Sequence, residues 1–313
     1  LGKRLGDEGD HAAVVDLHLA AMDLPFSTDT RRELLSEAAC LCSDRLGDAS
    51  RALTYFRRLF AEDPADRVAQ AAVTRFALLL EEQNLDHEIA SLWEVQAKAR
   101  AALGDAGAAA ALFARAAEIA ETRLGSKDRA IENHRAAADL GSEAALDALA
   151  RIHDSEGRPG EAAAALERLC ERSSRDELGS RALRLAEAYL RAGQPELARA
   201  RLEHAASTAL DAGAVRKRLA ELYRTLRAHA PLAALLTTEA QRAPSTKARL
   251  ELLQETARLY IDKLGNAEAA VPLLEQAIEL DPDEPSLRLG LASAFTNSGR
   301  LDFVNAGHPP PYL

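Results

Sequence analysis

Apolar residues recur three and four positions apart through most of this chain, in blocks of several helical turns separated by small or polar residues. One block reads Leu185, Ala186 and Tyr189, reaches Gly193, and resumes at Ala198, Leu202 and Ala205. The phasing returns at Leu149, Ala150, His153 and Gly157, with Ala162, Leu166 and Leu169 behind it. A third copy has Leu219, Ala220 and Tyr223, then Leu232 and Leu236, and closes with Pro244. Such spacing puts the apolar set on one face of an α-helix. Glycine supplies the left-handed backbone that ends a helix. Each copy therefore predicts a helix, a tight turn and a second helix folded back on the first. A hairpin this short cannot bury its apolar face alone and must stack on copies of itself.

The turns fall at Gly9, Gly47, Asn84, Gly125, Gly157, Gly193, Arg227, Gly265 and Gly299. Their average spacing is about 36 residues, near the period of about 34 known for one class of helix-turn-helix arrays. A variant turn marks the longer units: Arg45-Leu46-Gly47-Asp48, Arg123-Leu124-Gly125-Ser126 and Lys263-Leu264-Gly265-Asn266. The skeleton Ala186, Tyr189, Gly193, Ala198, Leu202, Ala205, and its later copy Tyr260, Gly265, Ala270, Leu274, Ala277, Pro282, resembles the tetratricopeptide repeat family. The resemblance covers roughly residues 5–300. It implies an all-α fold, a right-handed α-solenoid of stacked antiparallel helix pairs with about eight repeats. Residues 1–300 are expected to form that solenoid as one continuous body, and 301–313 a tail outside the repeat pattern.

Packing chemistry agrees with this reading. Small side chains at Ala150, Ala186 and Ala220 permit close helix approach, while Leu166, Leu202 and Leu274 fill the facing gap. Asp63-Pro64 and Asp281-Pro282 end units, because the residue before proline is pushed out of the helical region. The chain is 47% hydrophobic but only 4% aromatic, so packing on Ala and Leu is expected rather than a large aromatic core. The most polar stretch, Glu171–Ser180, is expected to be a long loop between repeats.

A net charge of −10 argues against nucleic acid, which requires a basic groove, and favours basic or mixed-charge protein partners. No apolar run is long enough to span a membrane. A cytoplasmic location is expected, and the oligomeric state stays open. The chain opens at Leu1 in mid-repeat and its one methionine is Met22, which predicts a piece of a longer polypeptide. The abundance of Arg over Lys, and of Ala, points to a GC-rich bacterial coding sequence.

Catalytic and metal chemistry find no pattern to rest on. Cys40, Cys42 and Cys170 lack zinc-ligand spacing and are expected to be small packing residues in a reducing compartment. His11 and His18 share a helix face as two ligands would, but no carboxylate or third histidine converges on them in the sequence. His18 and His134 occupy slots for large packing residues and His153 an aromatic slot, so structural roles are expected for all three. No cofactor, no metal and no enzymatic activity are expected.

The function expected of such a solenoid is protein–protein interaction, with a peptide or helix lying in a concave groove lined by first helices. Aligning repeats places Asp147, Arg151 and Asp154 there, then Leu183, Glu187 and Arg191, then Lys217, Glu221 and Arg224, and finally Gln254, Arg258 and Ile261. The candidate groove residues are Asp147, Arg151, Glu187, Arg191, Lys217, Glu221, Arg224 and Arg258, with the five cations available to grip carboxylates; ordinary solvated helix surface is the plain alternative. The tetratricopeptide subclass that clamps chaperone C-termini uses Lys and Asn at set positions. Here those read Ser180, Leu183, Arg184 and Glu187, then Ala214, Lys217, Arg218 and Glu221, so the clamp is not matched.

After Leu301 the pattern breaks into Asp302-Phe303-Val304-Asn305-Ala306-Gly307-His308-Pro309-Pro310-Pro311-Tyr312-Leu313. This tail resembles the Asn-Ala-Gly-His-x-Pro strand of metal-dependent phosphatases of the protein phosphatase 2C superfamily, of the sporulation and stress-regulator type. A junction with a phosphatase fragment, a truncated fusion and a chance likeness in a proline-rich terminus all stay open. Under each, the acidic ligands for two metal ions are missing from this chain. Two further functional readings follow: a docking region of a signalling protein fused to a phosphatase or kinase, and an envelope assembly factor. The last helix, near Glu284–Ser298, is expected to have lost its partner and to expose Leu291 and Phe295.

Overall fold

The computed structural model describes residues 9–297, and among them every regular element is helical. Two compact units, Leu1–Leu169 and Cys170–Leu313, divide the chain, and each is described by itself. In the first unit lie α1 (His11–Ala21), α2 (Thr28–Leu41), α3 (Ala49–Glu62), α4 (Arg67–Glu82), α5 (Asp86–Ala102), α6 (Ala106–Thr122), α7 (Lys127–Asp139) and α8 (Glu143–Ser155). Helix α9 (Pro159–Glu171) runs across the division. The second unit holds α10 (Arg175–Arg191), α11 (Pro195–Thr208), α12 (Gly213–Thr225), α13 (His229–Arg242), α14 (Thr246–Arg258), α15 (Ala267–Leu280) and α16 (Pro285–Asn297).

Even-numbered helices are the first helices of the hairpins and odd-numbered ones the second. From α1 to α8 and from α10 to α16 each helix packs on the next in sequence, and first helices also touch, α2 against α4 and α10 against α12. That is the contact pattern of an α-solenoid, in which neighbours alone share a core.

The turns explain the hairpins. Seven of the eight sequence-assigned turns before Gly299 close on glycines or asparagine, and Arg227 supplies the eighth; all eight have positive φ. Asn84 (φ 55°) and Arg227 (φ 54°) are the only non-glycine residues in that region among those described. The backbone bonds separate two turn classes. In the ordinary class the N–H after the left-handed residue donates to a carbonyl five residues back, as in Arg158 to His153, Gln194 to Tyr189 and Ala228 to Tyr223. In the Arg/Lys-Leu-Gly class it reaches six back: Asp48 to Cys42, Ser126 to Ala120 and Asn266 to Tyr260. The extra residue is absorbed as a π-helical turn at Cys42–Leu46 and again at Leu259–Lys263.

The residues expected to pack small against large are all in the core. Ala150, Ala186 and Ala220 are buried, as are Leu166, Leu202 and Leu274. Aromatic stacking occurs in the first unit, where the Phe76 ring stacks on Phe56 and Phe60 at centroid distances of 5.3 and 5.2 Å. The core of the second unit includes Leu253, Ala257, Ala270, Leu274, Ala277 and Leu287.

Two expectations are corrected. Most of Glu171–Ser180 is helix, because α10 begins at Arg175. The Ser174 hydroxyl bonds to the Glu177 carboxylate at 3.1 Å, and Asp176 and Glu177 in the first turn favour the positive end of the helix dipole. In α16, Leu291 packs partly buried against the core of the second unit, while Leu289 is 74% exposed. Gly299 and the tail 301–313 lie outside the described residues.

Candidate interaction face

The apolar faces of the first helices turn inward, so their charged residues form rows on the opposite side. In the second unit, Glu187 and Arg191 on α10, Lys217, Glu221 and Arg224 on α12, and Arg258 on α14 occupy such rows. Their spacing of three or four residues follows from the helical period.

Several of these groups are bound to one another. An Arg218 nitrogen lies 2.7 Å from Glu187 Oε1 and another lies 3.0 Å from Glu221, joining α12 to α10. Arg224 donates two hydrogen bonds to the Glu255 carboxylate of α14, at 2.9 and 3.1 Å. In the first unit Arg151 grips Glu121 through two bonds of 2.6 and 2.7 Å, joining α8 to α6. Arg115 approaches Glu81 at 3.8 Å while its guanidinium lies 4.1 Å from the Trp93 ring centroid, and Arg75 pairs with Asp44. Hydrogen bonding from Arg151 holds the Glu121 carboxyl below its ordinary range. First helices are thus cross-braced by Arg–carboxylate pairs about one repeat apart.

Second helices of the first unit carry a parallel set. Arg51 meets Asp16 at 3.1 Å, Arg57 meets Glu88 at 2.7 Å, Arg129 meets Glu94 at 2.7 Å and Arg168 meets Asp139 at 2.8 Å. Burial would raise the Glu94 carboxyl, but bonds from Arg129 and Asn133 outweigh it and hold it low. A cleft of about 590 Å³ opens beside this group, with Phe113, Lys98 and Asp128 in its wall. A smaller apolar one of about 250 Å³ lies between Phe60, Phe76, Leu92 and Val95. Sequence reading found neither cleft; Glu94 and Arg129, one repeat apart on matched helix faces, were the available signal.

The eight candidate groove residues therefore separate into groups. Arg151, Glu187, Glu221 and Arg224 belong to the bracing network, so Arg151 and Arg224 already hold carboxylates of this chain. Asp147 is half-buried and Arg191 is exposed, and both have partners within the fold. Lys217 and Arg258 are exposed and make no ion pair among the described residues.

His134 and His153 are buried, and that burial lowers both imidazole pKa values. Glu37 lies 3.7 Å from His18 Nε2, a carboxylate that the sequence reading did not bring there. Among the described residues, no three His, Cys, Asp or Glu side chains converge as a metal site. Burial raises the thiol pKa of Cys40 and Cys42 and pushes Cys170 up to about 11, the reverse of what a nucleophile needs. Among the described residues no helix is long and apolar enough to cross a membrane.

Residues 263–302 match the family model described as tetratricopeptide repeat. None of the curated proteins matches the sequence. Solved structures similar to parts of it include a tetratricopeptide repeat protein from Parabacteroides merdae, at 15% identity over 84% of this chain and 98% of that one, with a TM-score of 0.30. YrrB, described as a TPR protein with an unusual peptide-binding site, is 17% identical over 75% of this chain and 95% of its own, with a TM-score of 0.32. The C-terminal part of a repeat protein from Cytophaga hutchinsonii is 13% identical over 93% and 98%, with a TM-score of 0.33. The fold assignment rests on the helix pairs themselves. This chain is an all-α helical-repeat protein of the α-solenoid class, with a tetratricopeptide repeat match at residues 263–302.

Proposed function

We propose that this chain is a protein-interaction scaffold that binds a peptide or helix of a partner along its first helices, without chemistry of its own. The observation that carries the reading is the cross-bracing. Arg151–Glu121, Arg218–Glu187 and Arg224–Glu255 hold neighbouring first helices together through side chains on their outward rows. A surface fixed before the partner arrives loses less side-chain freedom on binding. The family match at 263–302 supports this reading, since helical arrays of this type present extended binding surfaces. The tail resemblance favours a second reading, a docking region within a larger phosphatase-linked signalling protein.

The test must spare the braces. Removing Arg151 or Arg224 would release Glu121 or Glu255 and disturb helix packing as well as any partner. Lys217→Ala with Arg258→Ala removes two exposed cations that brace nothing among the described residues. With a partner selected from a displayed peptide library, this pair should weaken binding severalfold while leaving the thermal midpoint within a degree or two. Unchanged affinity for every selected peptide would remove the first-helix assignment.

A further inference from the structure

Charge is distributed unevenly between the two helix sets of the second unit. Its first helices α10, α12 and α14, with the π-helical turn Leu259–Lys263, carry twelve Lys or Arg against seven Asp or Glu. Its second helices α11, α13 and α15 carry three against six. A chain of net charge −10 thus keeps a basic surplus on one helix set.

The braces do not remove the surplus, because each ion pair consumes one charge of either sign. One pair crosses the two sets: Arg216 takes its partner, Glu239, from second helix α13 at 2.6 Å, which lowers the surplus by one and leaves it basic. Lys217, Lys247, Arg258 and Lys263 are exposed and hold no carboxylate among the described residues. These cations lie on α12, α14 and the turn that extends α14.

We propose that the first-helix face of the second unit binds an acidic protein segment, an extended run rich in Asp and Glu, through Lys217, Lys247, Arg258 and Lys263. This rests on the scaffold reading above and adds the partner's chemistry. Charge complementarity carries the assignment: a surplus of exposed cations on one helix set steers and registers an anionic chain. A peptide is favoured over nucleic acid because the chain carries a net charge of −10, which opposes a long phosphate backbone reaching beyond this face.

The test uses the full chain and fluorescent peptides of equal length, one Glu/Gly, one Lys/Gly and one neutral amphipathic, with a single-stranded oligonucleotide beside them. The Glu/Gly peptide should bind most tightly and weaken as salt is raised. Lys217→Glu with Arg258→Glu should weaken it by about tenfold, with Lys247→Glu and Lys263→Glu as an independent pair should the first disturb folding. Lys98→Glu, on second helix α5, should change little. Equal binding by the charge-reversed variants, or preference for the Lys/Gly peptide or the oligonucleotide, would overturn the proposal. If the neutral peptide binds in a manner sensitive to these residues and the acidic one does not, the acidic assignment fails and the scaffold reading stands. If no peptide binds, both fail.

Discussion

At the scale of single residues, the turn positions connect sequence to fold most directly. Arg227 sits at φ 54° and Asn84 at φ 55°, where neighbouring repeats place glycine. Repeat phase put turns at both, although arginine does not favour that backbone. Left-handed geometry strains a residue bearing a Cβ, and asparagine less than most. Arg227→Gly should therefore stabilise the protein by about 1 kcal/mol and Asn84→Gly by less, read as a shift in urea midpoint at constant m. Gly193→Ala should cost about as much as Arg227→Gly gains. The two buried histidines give a pH signature. Burial holds their folded pKa values below the ordinary 6.5, so their contribution is complete above about 6.5 and is lost as pH falls below it. His153→Tyr, which copies Tyr189 and Tyr223 in the same slot, should flatten that acid dependence; the check is the difference in urea midpoint between neutral and mildly acidic buffer. Turn positions and buried histidines were legible because each depends on repeat phase.

At the scale of helices, the sequence carried less. Only the first turns of helix α10 were hidden by polar composition, since Leu185, Ala186 and Tyr189 marked its second half; the start was signalled by Ser174 and Glu177 at capping-box spacing. Gly179 has a role invisible without coordinates. A Cβ there would stand 2.9 Å from the Asp211 carbonyl oxygen, where Leu210 N–H donates to the Arg175 carbonyl at 2.9 Å. Gly179→Ala should push α10 away from that loop and destabilise the chain by about 1–3 kcal/mol, measurable by thermal or urea unfolding. The braces were partly legible. Exposed rows named Arg151, Glu187 and Arg224, but which carboxylate each meets depends on how adjacent helices stack. Both Arg224 and Glu255 are more than one-third exposed, so their coupling in a double-mutant cycle should be only about 0.3–1 kcal/mol and should shrink with salt.

At the scale of the whole molecule, neighbour-only contacts govern behaviour. Each unit lacks the long-range closure that makes a globule unfold at once, so opening should begin where a helix has fewest neighbours. Exchange of backbone amides in α16 should outpace that in α10, and equal protection would contradict the stacked-hairpin account. The family of folds was readable because many weak copies agreed in phase. The basic surplus of the second unit's first helices was not, since it becomes visible only when helices are sorted by the face they share.

The most direct test of the central claim is site-specific photo-crosslinking to a peptide selected for binding to the full chain. Probes at Leu183, Lys217 and Gln254 on first helices would be compared with probes at Leu197, Thr238 and Glu275 on second helices. Adducts from the first set, with little from the second, are expected. Adducts mainly from second helices would contradict the assignment of the binding face.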